Sequence, residues 1–174
     1  MISASSNHFE LFGLPTSFRI DTEALDRAYR ALQTQVHPDR HAGGSDVERR
    51  LAMQTSTRVN AAYQALKDPI ERARYLLELR GIDALDETDT RLSTAFLEQQ
   101  LTRRERAAHA ADTENLGALD AVLLEVRGEI RARQEQLAAL LDGDATEPAR
   151  NAVRELRFLA KVAADVESML AALD

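Results

Sequence analysis

The sequence predicts an all-α fold in two parts, and three observations carry that expectation. Alanine, leucine, arginine and glutamate, all strong helix formers, are the most numerous residues of the chain. Apolar residues recur at steps of three and four over most of its length. The seven glycines and four prolines fall mainly in a few breaks, "GLP" at 13–15, "HPDRHAGG" at 37–44, "RGI" at 80–82 and "DGDATEP" at 142–148. Helices joined at such breaks, mostly shorter before residue 81 and mostly longer after it, make two helical modules.

The elements follow in order. "NHFELFGLP" sets Phe9 and Phe12 three apart before Gly13 and Pro15, which suits one or two turns of helix. In "IDTEALDRAYRALQTQV", Asp21 is a good N-cap, Ile20 and Leu25 are placed as a hydrophobic staple, and Leu25, Tyr29, Leu32 and Val36 mark one face. Arg27 and Arg30 lie on another face and point to solvent. Pro38 draws the residue ahead of it out of helical geometry, so this helix stops near His37. Ser45 or Asp46 caps a longer helix to about Lys67, with Leu51, Thr55, Val59, Ala62, Tyr63 and Leu66 as its inner face. Asp68 caps the next, with Pro69 at its first position and Gly81 as its stop.

"GIDALDETDT" is acidic and polar and reads as a linker, dividing the chain into a first domain at 1–80, a linker at 81–88 and a second domain at 89–174. Three longer helices are expected beyond it. The first spans about 94–111. The second, about 114–141, carries Leu116, Leu119, Leu123, Val126, Ile130, Leu137 and Leu140, interrupted by Arg133. After the turn at Gly143, Thr146 and Pro148 start a third, with Leu156, Leu159, Ala163, Val166, Leu170 and Leu173. Amphipathic helices with short turns fold most simply as an antiparallel bundle. Two features exceed that need. Phe158 lies roughly 110° from the centre of its helix's apolar stripe. On the first bundle helix, Leu97 and Leu101 lie on one face while Phe96 and Gln100 lie on another. Both fit either packing at the edge of the core or an exposed anchor for a partner.

Composition excludes several functions. A net charge of −7 argues against nucleic-acid binding by counterion release, though not against a local basic patch. Without cysteine there is no disulfide, thiolate metal site or cysteine nucleophile. "MISASSNHF" lacks the basic and apolar regions of a secretory signal, and no apolar run approaches the roughly 20 residues that span a bilayer, so a soluble, cytoplasmic protein is expected. His37 and His41 are four apart, but they lie in a loop with no third ligand in view, which disfavours a metal. Asp39 and His37, two apart across a proline, are poorly placed as a base and its orienter, and no nucleophile or phosphate loop accompanies them. No enzymatic activity and no cofactor are expected. His8 and His109 stand alone, and the charge clusters "DVERR" and "TRRER" read as solvated helix faces.

The triplet "VHPDR", with "YRALQTQ" before it and "STRVNAAYQALKDPIERARYLL" after it, resembles a J-domain over roughly residues 6–80. "HFELFGLP", "ALKDPIERARYLLELRG" and "RELRFLAKV" are similar to the HscB co-chaperones of iron–sulfur cluster assembly, a likeness spanning nearly the whole chain. The resemblance implies an N-terminal J-domain, a helical hairpin with the His-Pro-Asp loop, and a C-terminal three-helix bundle. It implies that His37, Pro38 and Asp39, with Arg27, Arg30 and Arg40 as the positive contribution, dock on an HscA-type (DnaK-like) chaperone and trigger its ATPase. It also implies that the bundle presents the scaffold protein IscU through Leu97, Glu98, Leu101, Glu105 and Phe158. The chain departs from the family at Thr34, where a basic residue is common, at Glu98, where an apolar one is familiar, and at Thr102 and His109, where acids are. A J-protein adaptor that serves a different client is the alternative.

Overall fold

The structure is a computed structural model that describes residues 6–36, 43–85 and 92–173. Over these residues the chain forms seven α-helices: α1 (His8–Leu11), α2 (Thr22–Val36), α3 (Asp46–Lys67), α4 (Pro69–Leu79), α5 (Thr94–Asp112), α6 (Leu116–Asp142) and α7 (Thr146–Leu173). It separates into two compact units, Met1–Leu76 and Leu77–Asp174.

The first unit is set by its caps. Asn7 and Glu10 close a capping box on α1, and Ser45 and Glu48 another on α3. The Asp21 carboxylate accepts from the Glu23 and Ala24 amides, and that of Asp68 from the Ile70 and Glu71 amides. These contacts satisfy amides that a helix start leaves without partners. Phe9, Leu25, Val59, Ala62 and Leu66 are fully buried. Arg72, 6% exposed, holds the stretch between α1 and α2 by donating to the carbonyls of Phe18 and Leu66.

Between α2 and α3 the contacts are polar and aromatic. Tyr29 stacks on Tyr63 at 3.9 Å, Tyr63 and Lys67 both donate to Asp26, and Gln33 donates to Asn60. Low numbers on α2 meet high numbers on α3, so the two helices run antiparallel. Tyr75 stacks on His8 at 4.0 Å and accepts from its backbone amide. The expected inner face of α3 holds at Val59, Ala62 and Leu66, but Leu51 is 62% exposed and Ala52 is buried instead. At 100° per residue, the arc centred on Val59 and Leu66 takes in Ala52 and leaves Leu51 at its edge.

The second unit is the three-helix bundle. Arg106 pairs with Glu125 and Arg103 with Glu129 between α5 and α6; Arg127 pairs with Glu167 and Arg133 with Glu155 between α6 and α7. Both helix pairs are antiparallel by these registers, so α5 and α7 run the same way. Phe96, Leu119, Val126, Leu159 and Val166 lie in one buried cluster. Leu116, expected on the apolar face, is 38% exposed in the first turn of α6. "TRRER" is not wholly solvated: Arg103 is 8% exposed, held by Glu129 at 2.5 Å and by the Gln100 side chain at 3.1 Å. In the turn between α6 and α7 the left-handed residue is Asp144 (φ 53°), while Gly143 keeps an ordinary φ of −90°. Arg80 reaches that turn, donating to the Leu141 carbonyl and pairing with Asp144. Of the expected linker, residues 81–85 are described. There Ala84 is fully buried, and the carbonyls of Asp83 and Ala84 accept from Arg150 and Arg154 of α7.

Candidate functional site

The residues that the sequence singles out fall on two surfaces, one on each unit. On the first, His37, Pro38, Asp39 and Arg40 lie outside the described residues, and the structure places only what flanks them. On one side α2 ends at Val36; on the other, Ser45 starts α3. Arg27 projects from α2, 62% exposed at its side chain, between Asp21 at 3.7 Å and Glu23 at 3.6 Å. Arg30 is also exposed, and its carbonyl accepts from the Thr34 hydroxyl at 3.0 Å. The arginine face is therefore real but partly balanced by neighbouring acids. Such exposed pairs are weak and salt-sensitive.

The flanks also hold something the sequence reading missed. Val47, Leu51 and Met53 are exposed in the first turns of α3. A cleft of about 240 Å³ opens between Val36 of α2 and Leu51, Ala52 and Thr55 of α3. The available signal was that Val47 and Met53 fall off the stripe that Ala52, Val59, Ala62 and Leu66 make.

On the second unit, α5 presents two unlike faces. Phe96, Gln100, Arg103, Ala107 and Ala110 are buried. Leu97 is 42% and Leu101 59% exposed, and Glu98, Thr102, Glu105 and His109 are exposed as well. Phe158 of α7 is half-buried, its ring packed edge-on against Phe96 at 5.7 Å, with the Arg104 guanidinium 5.2 Å over it. Arg104 in turn pairs with Asp165 at 3.5 Å. Arg104 is thus a neighbour of the patch that sequence reasoning passed over, because a cation inside "TRRER" gives no hint of which ring it covers.

Beneath the patch is a charged layer. Glu129 binds Arg103 and Arg133; Arg133 also binds Glu155 and lies 5.8 Å over the Phe96 ring. The Gln100 side-chain nitrogen is buried with no hydrogen-bond partner among the described residues. On the α6 side, the Arg106 guanidinium, donating twice to Glu125, holds that carboxyl below the usual range. These contacts fix the rotation of α5 and so decide which residues face outward. Among the described residues no group of histidine and acidic side chains has the geometry to hold a metal ion, and no helix is long and apolar enough to cross a membrane.

Comparison with known proteins covers both units. Residues 7–75 match the family model described as the DnaJ domain, and residues 92–167 match the one described as the HSCB C-terminal oligomerisation domain. The chain is 50% identical to the co-chaperone protein HscB homolog of Burkholderia multivorans over 174 residues, which is 100% of this chain and 99% of that protein. It is 49% identical over the same span to the homolog of Burkholderia mallei. Among solved structures, chaperone HscB from Vibrio cholerae superposes with a TM-score of 0.89 at 36% identity, covering 97% of this chain and 100% of that one. The human co-chaperone protein HscB superposes with a TM-score of 0.89 at 28% identity, covering 95% of this chain and 83% of that one.

Proposed function

The chain belongs to the HscB family of J-domain co-chaperones, and on that premise we propose that it binds an IscU-type iron–sulfur scaffold protein, delivers it to an HscA-type chaperone and stimulates that chaperone's ATPase, promoting cluster transfer in the cytoplasm. The chain performs no covalent step itself. His37, Pro38 and Asp39 meet the ATP-bound chaperone, a rigid proline turn presenting an imidazole and a carboxylate at fixed spacing. Arg27, Arg30 and Arg40 steer the encounter towards an acidic surface. The division we propose is residues 1–80 for the chaperone, 81–88 as connection and 89–174 for the scaffold.

The observation that carries the scaffold reading is the exposure of Leu97 and Leu101 on a helix whose opposite face is fully committed to the bundle. Two leucines in water at a spacing of four, beside a half-buried phenylalanine, make a small apolar patch with a polar rim, the composition of a binding surface. Glu98 and Glu105 supply its acidic edge. The second reading, a J-protein adaptor for another client, draws on the departures at Glu98, Thr102 and His109, which make the patch less apolar and less acidic than the family's.

The test is steady-state ATP hydrolysis by the HscA-type chaperone with the scaffold present, adding either the wild-type chain or His37→Gln. Stimulation by the wild type alone, with the variant still binding scaffold, is expected. Equal stimulation by both would leave the triplet as a helix stop only. If the wild type stimulates but does not bind scaffold, the adaptor reading takes over.

A further inference from the structure

We propose that the groove between α5 and α7, continuing from Phe158, receives an acidic segment of the scaffold protein, with Arg104 and Lys161 taking its carboxylate. This rests on the scaffold-binding reading above and deepens it.

Leu97, Leu101, Arg104 and Ala108 follow one another on α5 at steps of four, three and four, so they form one stripe along the helix. A segment lying on the two leucines therefore runs on over Arg104 and Ala108. At that point the surface becomes concave. A groove of about 560 Å³ opens between the helices, with Ala108, Val162 and Met169 contributing apolar wall and Arg104, Lys161 and Asp165 contributing charge. Alanine on α5 leaves the space: a larger side chain at 108 would intrude into it. The groove is continuous with the proposed patch, because Arg104 covers the Phe158 ring while lining the groove.

The charges select the occupant. Two cations face one carboxylate. Arg104 and Asp165 are each 45% exposed and 3.5 Å apart, an exposed pair that gives way readily to a competing anion. Lys161 is exposed and makes no ion pair with any described residue. The groove is thus short of one negative charge, over apolar walls suited to an aliphatic side chain. A segment with an acidic residue beside an apolar one meets both demands, whereas a basic segment would face two cations across the groove.

The experiment is calorimetric titration of the full chain with an IscU-type scaffold protein at two salt concentrations. The variants are Lys161→Glu, Ala108→Glu and, as control for the patch, Leu101→Ala. Ala108→Glu keeps a good helix former while placing a carboxylate in the groove as an internal competitor. The expected result is that all three bind more weakly, Lys161→Glu by about tenfold and with less salt dependence than the wild type. Helicity by circular dichroism should be unchanged in each. If Leu101→Ala weakens binding but both groove variants bind as the wild type, the groove proposal is overturned and the scaffold reading stands. If Leu101→Ala and both groove variants all bind as the wild type, the leucine patch and the groove proposal both fall; if the wild type does not bind the scaffold, the scaffold reading falls and the groove proposal with it. If sedimentation shows the wild type self-associating, and Lys161→Glu abolishes that while leaving scaffold affinity intact, the groove holds a second copy of this chain and the proposal fails.

Discussion

Leu101 and Phe158 are both placed on the proposed scaffold patch, yet they answer different questions when removed. Leu101 is 59% exposed, so Leu101→Ala should change the urea unfolding free energy by no more than about 0.5 kcal/mol, the usual range for surface sites. Any loss of scaffold affinity in that variant is therefore a contact effect. Phe158 packs against Phe96 and lies under Arg104, so Phe158→Ala should cost about 2 kcal/mol of stability as well as affinity. Chemical denaturation of the two variants separates them. At this scale the sequence was legible where spacing speaks. Leu97 and Leu101 stood out because they share no face with Phe96. It was not legible where partners decide: Glu23, four residues before Arg27, is a pair the spacing offers, but nothing in the local pattern says that Arg103 is buried while Arg104 covers a ring.

The helices themselves were largely written in their ends. Asp21, Ser45, Asp68 and Gly81 act as caps or stops where the sequence places them, because capping is a local matter of one side chain and the next few amides. Gly81 closes α4 with φ 77°, its amide bonding to Glu78 and the next amide to Leu77. An added Cβ there meets nothing within 4 Å. Gly81→Ala should therefore cost only the strain of the left-handed backbone, about 1 kcal/mol by thermal unfolding. Leu51 shows the limit of helical periodicity: a stripe at steps of three and four spans more than the arc that the neighbour covers, and its edges go to solvent.

The α2–α3 pair carries a pH signature. Lys67 and Tyr63, donating to Asp26, hold its carboxyl below the usual range, and Asp26 raises the Lys67 ammonium. A carboxyl whose folded value lies below its unfolded one adds stability that is complete at neutral pH and lost as acid passes through the folded value. The lysine's share is present up to its ordinary range and fades in alkali beyond its raised one. The melting-temperature gap between the wild type and Asp26→Asn should accordingly hold steady through neutrality and close on acidification.

For the molecule as a whole, the all-α class and the division into two helical modules were legible because each rests on composition and breaks rather than on contacts, whereas the J-domain was legible only through the resemblance that "VHPDR" and its flanks carry. The ionic layer inside the bundle was not, since Arg103 and Arg133 look like ordinary surface charges until three helices enclose them. Glu129 is the member that joins the two arginines. Glu129→Ala leaves both without that carboxylate in a poorly solvated setting, and the expected cost is about 3 kcal/mol by urea denaturation. The variant should also loosen the rotation of α5, so affinity for the proposed scaffold should fall although Glu129, on α6, lies beneath the patch and not on its surface.

One consequence concerns light rather than binding. The chain has no tryptophan, and its three tyrosines, Tyr29, Tyr63 and Tyr75, all belong to the first unit, two stacked on each other and one on His8. Excited at tyrosine wavelengths, the intact, unlabelled protein reports on its J-domain alone, whereas far-ultraviolet ellipticity is weighted towards the longer helices of the bundle. Recording both signals in one melt gives each unit its own optical channel.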